Sequence, residues 1–118
     1  MESILTSIKL LLGITEEYEH YDPQIIMHIN SVFTILRQLG VGPEKSFRIE
    51  DKISTWSDFI PEETDDITWD GVKSYVGAKV RLIFDPPNNS AHIKVLEQLI
   101  NEFEWRLKTD AEFTKSSE

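Results

Sequence analysis

Apolar residues along this chain recur mostly at helical spacing, and the pattern divides it into helices joined by polar or proline-marked turns. The dominant stretch is DITWDGVKSYVGAKVRLIFD, Asp66–Asp85, closed by Pro86 and Pro87. Val72, Tyr75, Val76, Val80, Leu82 and Ile83 fall in one broad arc that Phe84 widens, which predicts a central helix covered from more than one side. Asp66 or Thr68 can cap its start, and the two prolines stop it. Before it, Ser3–Leu12 predicts a short helix with Ile4, Leu5, Ile8, Leu11 and Leu12 on one face, stopped at Gly13. After the polar connector Thr15–Tyr21, Asp22-Pro23 reads as a capping acid followed by proline at the first helical position. This second helix carries Ile25, Ile29, Val32, Leu36 and Leu39 to the core, with Ile26, Phe33 and Ile35 at the margins. Asn30, Ser31, Thr34 and Gln38 face the other way, and Gly40 and Gly42-Pro43 end the helix.

Residues 43–65 form the least regular part. Phe47, Ile49 and Ile53 suggest a brief extended piece, and Ser54 or Thr55 can cap one helical turn through Trp56, Asp58, Phe59 and Ile60. A last helix, capped within Asn88-Asn89-Ser90, runs to about Lys108 with the stripe Ile93, Leu96, Leu99, Ile100, Phe103 and Leu107; Trp105 points almost opposite. The expected architecture is all-α: four to five helices around the central helix (66–85), with a long irregular segment (43–65). It forms one domain over 1–108 with a frayed tail at 109–118.

The 118 residues carry a net charge of −9, unevenly: residues 1–66 hold 13 acids and 5 bases, and residues 67–118 hold 8 and 7. Nucleic-acid binders neutralise phosphates with Lys and Arg, so this balance argues against direct DNA binding. The chain has no cysteine, which excludes disulfides, thiolate metal sites and cysteine nucleophiles. Its N-terminal apolar run has neither a basic leader nor a small-residue cleavage site, so no signal peptide and no membrane segment are expected.

Candidate chemistry is sparse. His20, His28 and His92 have no metal-ligand spacing, and each reads as a structural or half-exposed histidine. His20 with Glu16, Glu19 and Asp22 is better read as a solvated face than as a cation site. The pairs Glu62-Glu63 and Asp65-Asp66 read as favourable charge at a helix start rather than as acid–base machinery. No nucleophile elbow, phosphate loop or dinucleotide motif occurs, so neither enzyme nor cofactor is expected. The informative residues are those whose burial is costly or whose exposure is unexplained. Lys79 lies inside the apolar arc and must snorkel, pair with an acid, or mark where the arc leaves the core. Trp105 points away from its stripe and either packs under the 43–65 segment or the N-terminal helix or makes a subunit contact, since Trp is favoured at interface centres. Trp56, Trp69, Phe47 and Phe59 share that ambiguity, which makes these six the candidate protein-contact residues.

The stretches SIKLLLGITEE, DPQIIMHINSVFTILRQLGVG, TWSDF, VKSYVGAKVRLIFDPP and EFEWRL together resemble the small head–tail connector proteins of long-tailed phages and prophages, from about Ser3 to Leu107. The resemblance implies a non-enzymatic helical adaptor of the virion, assembled in the host cytoplasm. It would form a ring, a dodecamer, below the portal, and extend the DNA channel without binding DNA specifically. Its partners would be the portal and the next head-completion or tail protein. The alternative reading is a helical regulatory module in the host cytoplasm that binds another protein through the same aromatics.

Overall fold

A computed structural model describes residues 2–43, 45, 47–60 and 66–116, with side chains placed for all of these except 66–69 and 113–116. Over those residues the fold is all-α, with five helices: α1 (Ile4–Leu11), α2 (Asp22–Gln38), α3 (Trp56–Phe59), α4 (Asp66–Phe84) and α5 (Ser90–Ser116). Helices α1, α2 and α5 each pack on α4, and α1 also packs on α2, so α4 is the shared centre. Val72, Tyr75, Val76 and Val80 of α4 are completely buried. Each of the three valines contributes roughly 2 kcal/mol relative to remaining in water. The arc is narrower than expected at its end. Ile83 is half exposed, and Leu82 and Phe84 are only partly covered, Phe84 by Tyr21 edge-on at 5.3 Å and by His28 of α2.

Ser3 caps α1 by accepting the Thr6 N–H on Oγ at 3.3 Å, and Gly13 ends it at φ 79°. Ile4, Leu5 and Ile8 are buried as expected, whereas Leu11 is exposed and Leu12 only half-buried. The start of α2 differs from its expected form. Tyr21 occupies the N-cap position without a side-chain cap bond, and Asp22 is already helical. Its carboxylate is turned instead to Lys9, with Nζ 2.9 Å from Oδ1. Lys9 is buried, at 2% exposure, and also donates to the Glu16 carbonyl at 2.9 Å, so the connector is tied to α1.

The irregular segment is held by polar bonds that the apolar pattern does not reveal. Asn30 donates its amide to the Ile49 carbonyl at 3.0 Å and accepts the Ile49 N–H at 2.8 Å, as a neighbouring strand would. Ile49 is therefore buried while Ile53 is exposed, and no strand alternation develops. The one bridge among the described residues joins Ser3 and Thr55. The expected helical turn is α3, where Asp58 Oδ2 accepts the Thr55 N–H at 2.9 Å. Gly42 lies at φ 94° against the ring of Phe59, where a Cβ would come within 2.7 Å, so glycine is required there on both counts.

Helix α5 starts where Asn89 Oδ1 accepts the Ala91 N–H at 2.8 Å. It runs past Lys108 to Ser116, since nothing after Lys108 is a glycine or proline.

Candidate functional site

The structure separates the six candidate contact residues. Phe33, at the margin of the α2 arc, collects three of them: it stacks on Phe59 (centroids 4.4 Å, 25°), meets Phe47 edge-on at 5.2 Å and faces Trp56 at 6.5 Å. Trp56 and Phe59 are buried and Phe47 packs against the same core, so all three complete the monomer. Their burial has a physical cause. Asn30 anchors the segment over α2, and the segment's rings complete the enclosure of Phe33, which is 1% exposed. Trp56 also satisfies its indole N–H by donating to Ser7 Oγ at 3.1 Å. Ser7 Oγ in turn lies 2.6 Å from Glu2 Oε1, and Lys73 Nζ 3.2 Å from Glu2 Oε2. The hydrogen bond from Ser7, aided by Lys73, holds the Glu2 carboxyl below its ordinary value of 4.5 against the opposing effect of burial. The side chain of Trp69 lies outside the described residues.

Lys79 is partly buried and paired with an acid: Nζ is 3.4 Å from Glu104 Oε1 on α5. The same carboxylate accepts the Tyr75 Oη–H at 2.7 Å. Burial first, and then this bond and the Glu104 charge, push the Tyr75 phenol far above its ordinary value of 10.0. The cluster therefore locks α5 onto α4 through a phenol and an ammonium that share one carboxylate. Among the described residues no three His, Asp or Glu side chains converge as metal ligands. His20 packs edge-on against Tyr21 at 4.8 Å, and His28 lies 6.3 Å from Phe84.

Trp105 stands apart, 68% exposed on the outer side of α5. A second apolar surface opens on the opposite side of that helix. A groove of about 840 Å³ runs over α4 between α1 and α5, with Leu10, Leu11, Gly77, Leu96, Leu99 and Phe103 in its walls and floor. Leu10 is 64% exposed, Leu11 57% and Leu99 44%, an unusual concentration of uncovered leucine for so small a protein. Leu11 lies over Gly77, where a Cβ would sit 2.6 Å from Leu11 Cδ1. The sequence carries a signal for this groove: Leu10-Leu11-Leu12 spans too much of a helix for all three residues to face one core.

An all-helical fold with a closed aromatic core and apolar surface on two sides has the layout of a contact-making structural protein. The sequence pattern of the phage connector protein family matches residues 4–114, and the chain belongs to that family. Phage connectors are structural proteins, and their place is the virion. No curated protein and no solved structure matches the chain significantly. Among the described residues no helix is long and apolar enough to cross a membrane.

Proposed function

We propose that this connector assembles as a ring below the portal, extends the DNA channel, and presents its far face to the next head-completion or tail protein. The observation that carries the reading is the combination of Trp105 and the α1–α4–α5 groove. Both are apolar surfaces left uncovered by a monomer that has already buried the aromatics of its irregular segment. A ring requires two unlike patches per copy, and these two are unlike and set apart. The acidic balance supports the channel role, because a negative wall repels phosphates and lets DNA pass. Assembly in the host cytoplasm and a twelve-fold ring accompany this reading. The test is electron microscopy of the purified protein mixed with its portal. Rings or portal caps are expected. A persistent monomer without portal affinity overturns the reading and favours a cytoplasmic regulatory module.

A further inference from the structure

We infer that the occupant of the α1–α4–α5 groove is the Trp105 face of α5 from a second copy of this chain, in a head-to-tail contact. The inference rests on the ring reading above and assigns its subunit interface. Its first support is the placement of the two surfaces on one helix. At about 100° per residue, Trp105 projects roughly 180° from Leu96 and 160° from Phe103, both of which line the groove. A copy that fills its neighbour's groove therefore leaves its own groove open on the far side for a third. Two-fold pairing would bury one of these surfaces against its own copy and leave the other uncovered.

The second support is charge. Helix α5 runs antiparallel to α4: Glu104 meets Tyr75 and Lys79, and Leu107 lies over Gly71. Along the groove, exposed Arg81 lies toward the C-terminal end of α4 and exposed Asp70 toward its N-terminal end, about 16 Å apart on the helix. Beside Trp105, Glu102 comes about one turn earlier and Lys108 about one turn later, about 9 Å apart. Neighbours related by a small rotation keep their α5 helices running in the same sense. In that sense the incoming Glu102 approaches Arg81, and the incoming Lys108 approaches Asp70. The long Arg and Lys side chains span the difference in spacing. Glu102 is held in the free molecule by an exposed pair with Arg106, and such pairs are worth little, so re-pairing is cheap. The reverse orientation sets Glu102 toward Asp70 and Lys108 toward Arg81, which is repulsive at both ends.

The test compares wild type with Trp105→Ala and Leu99→Asp by light scattering across concentrations, alone and mixed, with circular dichroism to verify folding. Wild type is expected to associate. Each variant alone should associate roughly 30-fold more weakly, as for loss of an interface anchor. Mixed together, the two retain one intact contact, the groove of the Trp105→Ala copy with the tryptophan of the Leu99→Asp copy. They should stop at a species of two copies. Leu10→Asp, on the α1 wall, repeats the groove test should Leu99→Asp fail to fold. In the charge arm, Arg81→Glu should weaken assembly and Arg81→Glu/Glu102→Arg should restore it. A wild type that assembles while either Trp105→Ala or both groove variants assemble equally well overturns this contact and leaves the ring standing. So does a groove variant that loses only portal binding, which would give the groove to the portal. A wild type monomeric at every concentration, and with portal present, removes both readings.

Discussion

Lys9 shows how one residue can reorganise a local reading. In the sequence it interrupts the first apolar run, and Asp22 looks like a helix cap. In the fold the two meet at 2.9 Å, with Lys9 the more deeply buried. Removing one member of a buried pair leaves the other uncompensated. Lys9→Ala should therefore destabilise the protein by about 3 kcal/mol, measured by urea denaturation, whereas Lys9→Met/Asp22→Leu should recover most of the loss. Glu2 gives a pH prediction. Its folded-state carboxyl is depressed by Ser7 and Lys73, so the stabilisation it contributes is present above its ordinary value of 4.5 and lost as pH falls through the lower folded value. Acid titration followed by Trp56 fluorescence should show this component, and Glu2→Gln should abolish it. Neither partnership was legible beforehand. Glu2 meets Ser7 across five residues, but Trp56 joins them from forty-nine residues beyond Ser7, and apolar periodicity says nothing about such polar links.

At the level of elements, periodicity located the long helices well, because each has a face whose burial dominates its energetics. Val76 and Val80 of α4 are fully enclosed. Val76→Asp or Val80→Asp should abolish cooperative unfolding, seen as loss of the helical circular dichroism signal, since a charge entering that core has no partner. Helix ends were less legible. Ile83 belongs to the α4 arc by spacing, yet is half exposed, on the rim of a pocket it shares with Gln24 and His28 of α2. The irregular segment was legible only as α3 and its cap. Its role as the lid over Phe33 depends on the Asn30 amide, whose position on the polar side of α2 suggested solvent. For the same reason Trp56 and Phe59 looked available for contact from sequence, while the fold leaves Trp105 as the uncovered tryptophan with a described side chain.

At the scale of the whole molecule, the net charge of −9 sets the expected relation to DNA. The protein should fail to retard duplex DNA in a gel-shift measurement at moderate ionic strength, in its free and its associated form alike; retention would mean that bases outweigh acids on the surface the duplex meets. The candidate contact surfaces were half legible. Trp105 was marked by its angle on the helix, but the groove needed the docking of three helices to exist. Setting those surfaces back to back on α5 also has a consequence for growth. In the head-to-tail contact proposed above, such a molecule carries no built-in stop. Copies that tilt by a constant angle within a plane come full circle, whereas a small rise per copy along the axis winds the same contact into an endless filament. A substitution that changes only the slope of the leucine walls could therefore convert a closed collar into a fibre without weakening a single pairwise contact.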